Sequence, residues 1–233
     1  MAAQNLSFRV FVAVYSGLMP ATVIDPRAIT APPSRRGTVA LLSIALLIAF
    51  AFFALAALPY LLSSAYNAAE YAGRRGWLLV HIAGGTIALL SGPIQLWLGI
   101  ADRRIDLHRK LGVVYIVGVA IAASGAFWLA AHPSFGWVYG AGLGSMATAQ
   151  VVTTILAFVA IKRGLIEQHK EWMIRSYVVT FSFVTYRLFG LLMGPLQLGT
   201  FVELNIVLAW GSWALPMLLT EAILQGKKVL TVR

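Results

Sequence analysis

Six apolar windows constrain the fold of this chain more than any other feature of its sequence. Each is about 20 residues long, which is the length that crosses a bilayer as an α-helix. With 60% hydrophobic and only 11% charged residues, the 233-residue chain has too little polar surface for a soluble globule. We therefore predict an all-α, multi-pass transmembrane bundle. The predicted helices one to six are Val39–Leu62, Leu78–Ile100, Lys110–Ala131, Trp137–Ile161, Trp172–Met193 and Phe201–Leu224.

The distribution of basic residues explains the net charge of +10 without a nucleic-acid partner. Nearly all Lys and Arg residues of the tails and loops fall on one side of the predicted helices, whereas Arg74 and Arg75 fall on the other. Because Lys and Arg concentrate in cytoplasmic loops, we expect a lipid-embedded protein of the bacterial inner membrane with both termini in the cytoplasm.

Composition divides the chain into three parts. Residues 1–37 form a cytoplasmic N-terminal tail and linker, residues 38–225 the transmembrane domain, and residues 226–233 a basic cytoplasmic C-terminus. Residues 5–24 are apolar, but Arg9 and Pro20 interrupt them, so we expect an interfacial tail and leave a further membrane-associated helix open. The absence of cysteine excludes disulfides, thiolate metal sites and covalent c-type haem attachment.

Two short motifs recur at an interval of 61 residues. Residues 105–109 and 166–170 both read apolar, acid, variable, histidine, base, and each opens an apolar segment. The recurrence predicts that helices two and three form a hairpin and helices four and five its repeat, together making the core. Two loops that end at the same basic membrane surface would produce a similar pattern without a repeat.

The recurring histidines, His108 and His169, are the leading candidates for a cofactor site. Two imidazoles from different helices at one depth are what axial ligation of a b-type haem requires. The alternative is that both histidines serve only helix ends at a charged interface, with Asp106 as the N-cap of one helix and Glu167 in the first turn of the next. Haem b at His108 and His169 is therefore a hypothesis, with another metal or a proton relay as variants of it.

Further polar residues fall inside the apolar windows. His81 and Gln95 share one face of helix two with several small residues, so that face should pack against protein. On helix five, a polar stripe runs from His169 to Arg187, and Glu203 lies at a matching depth on helix six. We expect a structural ion pair between Arg187 and Glu203 rather than a substrate site. Tyr115 and Arg175 are additional candidates, and Tyr115 suits an aromatic belt or the edge of a quinone or porphyrin.

The segments His81–Gln95, His108–Tyr115 and His169–Tyr177, followed by Arg187, resemble a bacterial family of predicted membrane proteins called domain of unknown function 2306. The resemblance covers about residues 70–195 and implies a membrane protein without an established activity. Val113 stands where the pattern would have a second arginine. In layout alone the six helices also resemble cytochrome b561, which implies haem ligation by His108 and His169. The second haem of that family uses helices two and four, and helix four here has no histidine.

We predict from these features a multi-pass inner-membrane protein that binds one b-type haem between helices three and five for electron transfer. A quinone, a redox partner or a subunit of a membrane complex would then be its partner. The alternative is a small transporter or membrane scaffold without a cofactor, and a continuous cavity past Ser176 and Thr180 to Arg187 would favour transport. Whether the protein is an enzyme is left open.

Overall fold

The computed structural model describes residues 35–62, 73–101 and 104–231, and its secondary structure is helical. The predicted all-α fold is therefore confirmed. Residues 5–24, where the sequence left a further helix open, lie outside the described residues.

Eight α-helices make up the described chain. Five helical stretches are long and apolar enough to cross a membrane, and the bent pair α6–α7 makes a sixth if it is one span. The helices are α1 (Arg35–Phe52), α2 (Leu58–Leu62), α3 (Arg75–Ala101), α4 (Ile105–Ala131), α5 (Gly136–Lys162), α6 (Ile166–Thr180), α7 (Ser182–Met193) and α8 (Phe201–Thr231). A π-helical turn, Phe53–Ala57, joins α1 to α2, and a 3₁₀ turn, Gly194–Leu196, follows α7.

The helices extend beyond the apolar windows at several ends. Both α4 and α6 begin before their recurring histidines, at Ile105 and Ile166. Their first turns contain Asp106 and Glu167, and acids in a first turn are favourable beside the positive end of the helix dipole. The last helix continues to Thr231, so the boundary predicted at residue 225 falls inside a helix.

The predicted core of two hairpins is what the structure shows. The pair α3–α4 and the pair α5–α6 each pack side by side, and α4 packs on α5. The two hairpins also have matching bounds, because a shift of 61 residues carries Arg75 to Gly136, Ala101 to Lys162 and Ile105 to Ile166. In contrast, α1 leaves most of its large apolar side chains exposed, as expected of a peripheral helix facing lipid.

Glycines bring α3 and α4 into main-chain contact. A Cβ added at Gly84 would overlap the main-chain nitrogen of Ala122 and lie 2.7 Å from the carbonyl oxygen of Gly118. One added at Gly125 would lie 2.6 Å from the carbonyl oxygen of Trp77. Small residues let membrane helices approach in this way, so that van der Waals contact stabilises the pair.

The last span of the core is broken at Phe181. Helices α6 and α7 meet there at an angle of 44°. Around the break, Thr180 Oγ1 donates to the Ser176 carbonyl at 3.0 Å and Thr185 Oγ1 to the Phe181 carbonyl at 3.3 Å. Such bonds from Thr to the preceding turn bend helices. The bend tilts α7 relative to α6, and one side of α7 lines a cavity described below.

Candidate functional site

The recurring histidines meet between the two hairpins. His108 lies in the first turn of α4 and His169 in the first turn of α6. Their ring centroids are 6.4 Å apart, and their ring planes are nearly perpendicular, at 85°. Both rings are half-buried at the end of the bundle that carries Arg109, Lys110, Lys162, Arg163 and Lys170, here called the basic end. The opposite end is called the far end.

Both histidines use the same ring nitrogen to bind the main chain. His108 Nδ1 lies 3.1 Å from the carbonyl oxygen of Gln95, and His169 Nδ1 lies 2.9 Å from that of Ala157. Because a carbonyl oxygen only accepts, each Nδ1 carries the proton and donates it. In the neutral imidazole the lone pair is then on Nε2, which is the tautomer that a metal-ligating histidine adopts with a main-chain partner.

Gln95 adds a buried amide beside this pair. Its Nε2 lies 3.4 Å from His108 Nε2, which is at the long limit of a hydrogen bond. The Oε1 of the same amide has no hydrogen-bond partner among the described residues, although Gln95 is only 4% exposed. Gly99 lies against the His108 ring, with an added Cβ 3.0 Å from Cε1.

The acidic residues of the two motifs, Asp106 and Glu167, do not cap their helices in the same way. The N-cap of α4 is Arg104, without a side-chain cap bond, so the prediction that Asp106 caps this helix is wrong. Asp106 instead lies inside the first turn, because the helix begins one residue before it. Glu167 forms an exposed ion pair with Lys170 at 2.7 Å. The electrostatics of the helix ends therefore explains why Asp106 and Glu167 are present in the two motifs, but it does not explain the two histidines.

A closed polar network fills the bundle beyond the histidines. The hydroxyl of Tyr115 lies 2.8 Å from Ser176 Oγ and 2.9 Å from Thr180 Oγ1. Gln150 and Thr154 of α5 complete the network through Ser176, at 3.2 and 2.8 Å. Tyr115 and Ser176 have no exposed surface, so no cavity wide enough for water borders these two side chains, and the continuous cavity that would favour transport is not formed past them.

Arg175 anchors α6 to α8 near the basic end. Its guanidinium pairs with Glu221 through Nε and through Nη2, the latter at 3.1 Å from Oε2, and stacks 4.6 Å from the ring of Trp172. Glu171 lies 3.5 Å from Arg175 and 2.9 Å from Lys228. This cluster explains why Arg175 is buried, and it involves two glutamates that sequence reasoning did not select. The spacing of Glu171 and Arg175 at i and i+4 was the available signal.

The expected ion pair between Arg187 and Glu203 is not formed. Glu203 is the third residue of α8 and accepts bonds from the Thr200 main-chain N–H and hydroxyl at 2.7 and 2.8 Å. Its own N–H faces Thr200 Oγ1 at 3.3 Å. This reciprocal arrangement is a capping box, and it holds the carboxylate at the helix end. Within the described residues, Arg187 has no ion pair and instead lines a cavity.

That cavity has a volume of about 460 Å³ and lies in the far half of the bundle. Its walls come from every span, including the π-helical turn, α3 and α7. His81 lines it and binds the carbonyl oxygen of Ala122 through Nδ1 at 2.9 Å. The predicted polar residues therefore separate into groups: His108, His169 and Gln95 lie at the basic end, Tyr115 in the closed network, and His81 and Arg187 on the cavity.

Comparison with known proteins gives one match. A family model described as a predicted membrane protein, DUF2306, matches residues 78–224. No curated protein and no solved structure matches the chain. The resemblance to cytochrome b561 in layout therefore stays a prediction. Within the described residues there is also no cluster of three or more His, Cys, Asp or Glu side chains that could hold a metal ion.

Proposed function

The chain belongs to the DUF2306 family of predicted membrane proteins, and we propose that it binds one b-type haem between His108 and His169 and transfers electrons. The observation that carries this proposal is the shared use of Nδ1 as donor to the main chain, which puts the lone pair of each ring on Nε2; at His108 a metal would replace the long 3.4 Å contact with the Gln95 amide. Bonds from the ligating ring to the main chain fix its orientation and make it a better ligand.

The distance between the rings fits a shared metal ion. With metal–nitrogen bonds of about 2.0–2.1 Å on both sides, two imidazoles on one ion have centroids roughly 6 Å apart, and these rings are 6.4 Å apart.

The number of protein ligands favours haem over a bare ion. Zinc sites use three or four protein ligands, whereas the described residues provide two histidines here and no larger cluster. A haem supplies four nitrogens of its own and takes only the two axial ligands from the protein. When bound with two histidines, it supplies one-electron transfer.

The roles of the chain's own residues follow from this arrangement. His108 and His169 would hold the haem iron, and the carbonyl oxygens of Gln95 and Ala157 orient their rings. The unpartnered Oε1 of Gln95 places a buried acceptor beside His108. A quinone or a protein subunit of the membrane would be the redox partner.

The same proposal places the protein in the bacterial inner membrane with its basic end in the cytoplasm. Supporting it, Arg109, Lys110, Lys162, Arg163 and Lys170 lie together at one end, as cytoplasmic loops do. Because the chain has no cysteine, single replacements report its orientation. A membrane-impermeant maleimide should label Ser134→Cys in intact cells and Gln168→Cys only after lysis; the reverse pattern would invert the orientation.

The experiment that tests the haem is an absorption spectrum of the full chain purified in a mild detergent. We expect a Soret band and about one haem per chain, and both should be lost in His108→Ala and His169→Ala. His132→Ala is the matched control, because His132 also binds a main-chain carbonyl through Nδ1, that of Trp128 at 2.9 Å, but lies exposed at the far end.

Circular dichroism of each variant separates loss of haem from loss of fold. A helical, colourless wild type that takes up no added haemin would refute the proposal. So would a spectrum that survives both substitutions at the basic end.

A further inference from the structure

The far-end cavity combines an apolar floor with a cationic wall. Its inner part is lined by apolar side chains such as Leu89, Met146 and Phe183. Its outer part carries Arg74 and Arg187. The described residues that line it include neither Asp nor Glu. A volume of about 460 Å³ falls in the range of small-molecule sites, roughly 300–1,000 Å³.

The hydrogen-bonding groups of the wall are fixed in place. Tyr186 donates to Asn205 Oδ1 at 2.6 Å and is also hydrogen-bonded to Tyr139. Asn205 in turn donates to the Phe201 carbonyl at 2.8 Å. Arg74 is held by a bond from its guanidinium to Ser134 Oγ. These bonds connect the polar groups of the rim to one another and to the backbone, whereas Arg187 is an exposed side chain beside them.

A buried hydroxyl without a partner lies beside the cavity. Ser212 of α8 lines the cavity and has no exposed surface, yet its Oγ has no hydrogen-bond partner among the described residues. A buried hydroxyl without a partner is costly, and serine in a membrane helix can usually bind the preceding turn.

The backbone is irregular at the same place. The π-helical turn Phe53–Ala57 contributes Ala56 and Ala57 to the cavity, and the helix that begins after the break at Phe181 contributes Ser182 and Arg187. π-Helical turns occur frequently at functional sites. Broken helices within a membrane are tolerated where they line a cavity. Both irregularities therefore border the same cavity.

We propose that this cavity binds an amphiphile with an anionic carboxylate or phosphate head, the head lying against Arg187 and Arg74 and the hydrocarbon chain against the apolar floor. An intramembrane arginine is costly unless it has a partner, and here the described residues supply no carboxylate. An anionic head provides that partner, and arginine binds carboxylate and phosphate oxygens through paired N–H groups. This site is separate from the histidines and goes beyond the proposed electron transfer.

Four ligands with the same twelve-carbon chain test the head group. The full chain in a non-ionic detergent is titrated with laurate, dodecyl phosphate, dodecanol and dodecyltrimethylammonium, with tryptophan fluorescence as readout. We expect the anionic ligands to bind about tenfold tighter than dodecanol, because a hydrogen bond between arginine and an anionic head is stronger than one to a neutral hydroxyl. Tighter binding of laurate would indicate a fatty acid as the ligand, and tighter binding of dodecyl phosphate would indicate a phospholipid head. Equal binding of dodecanol or of the cation would overturn the proposal.

Variants locate the site. Arg187→Gln should weaken laurate binding about tenfold, and Arg187→Lys should retain most of it. Arg163→Gln, an exposed arginine at the basic end, is the control and should bind like wild type. Gly85→Leu should reduce binding of every ligand, since an added Cβ at Gly85 lies 3.5 Å from the Phe183 ring and a longer side chain would enter the cavity.

Three results would contradict the assignment. The first is unchanged laurate binding in both Arg187→Gln and Gly85→Leu. The second is that Arg163→Gln weakens laurate binding as much as Arg187→Gln does. The third is that inorganic phosphate binds as tightly as dodecyl phosphate, which would mean a small-anion site. The titration is repeated with His108→Ala. Unchanged laurate binding there shows that the cavity and the haem site succeed or fail independently.

Discussion

Adjacent glycines in α3 provide a quantitative test of the helix packing. Gly84 faces the backbone of α4, where an added Cβ would overlap Ala122 N and lie 2.7 Å from the Gly118 carbonyl oxygen. Gly85 faces the side chain of Phe183, where the same Cβ would lie at an ordinary contact distance of 3.5 Å. Gly84→Ala and Gly85→Ala therefore change the sequence identically, in one helix, and differ only in what the new methyl group meets.

The expected difference in unfolding free energy follows from this geometry. Replacing glycine by alanine within a helix gains up to about 1 kcal/mol, and this gain is common to both variants. Overpacking costs about 1–3 kcal/mol, and here the neighbour is main chain, which cannot rotate away. Separating α3 from α4 also strains the bond from His81 to the Ala122 carbonyl, and a hydrogen bond between membrane helices contributes about 0.6 kcal/mol.

We therefore expect Gly84→Ala to be about 2–3 kcal/mol less stable than Gly85→Ala. The measurement is an unfolding titration with sodium dodecyl sulfate in mixed micelles, followed by tryptophan fluorescence. Helical content before the titration checks that both variants start folded. If the unfolding free energies of the two variants agree within about 0.5 kcal/mol, Gly84 is not required for close packing of the α3 and α4 main chains, and the prediction is refuted.

Two further predictions concern the buried polar groups. Tyr115→Phe removes a hydroxyl bonded to both Ser176 and Thr180, and because both keep other partners we expect a loss of only about 1–2 kcal/mol in the same unfolding titration; no loss would show that the network is not stabilising. Arg175→Gln should cost about 1–3 kcal/mol, less than a fully buried pair because Glu221 is 37% exposed, whereas Arg163→Gln should be neutral. Equal effects of the two arginine substitutions would contradict the role of the α6–α8 ion pair.

The spans were predictable because a bilayer requires long apolar windows. All six windows fall on helices, and the small-residue face of α3, with Gly85, Ala88, Gly92 and Gln95, is buried. The helix ends were less predictable. Polar residues continue a helix beyond the apolar core when their first-turn acids suit the helix dipole, and hydropathy carries no information on this. The bend at Phe181 depends on how Thr180 and Thr185 bond to the backbone, which composition does not specify.

Ion-pair partners on different helices were harder to predict than the depth of a residue in the membrane. Arg187 and Glu203 lie at similar depths, but depth leaves the direction around each helix axis undetermined, and Thr200 offers the Glu203 carboxylate a nearer N–H group. The glutamate that does pair with a buried arginine is Glu221, 46 residues from Arg175. The cavity was missed for the same reason, since its wall is assembled from all of the spans.

The two histidines are related by the same interval of 61 residues as other pairs of residues in the core. Residues related by this interval approach one another at three levels of the bundle. His108 and His169 have ring centroids 6.4 Å apart, and Tyr115 and Ser176 are hydrogen-bonded at 2.8 Å. Seven residues further along, position 122 and position 183 line one small pocket.

An axis that related the two hairpins would bring equivalent residues together in this way, and the first two pairs are in direct contact. The histidines therefore lie where a single ligand can be shared equally by both halves. Two unrelated loops at a basic surface would explain an acid and a base in each copy, but they would not place His108 and His169 beside each other with the same ring nitrogen bonded to the backbone. Toward the far end the equivalence is lost, because α4 runs straight through position 120 while the other hairpin breaks at the corresponding Phe181. One end of the bundle therefore has its two histidines in equivalent positions, while the cavity at the other end is lined in part by residues that follow the break.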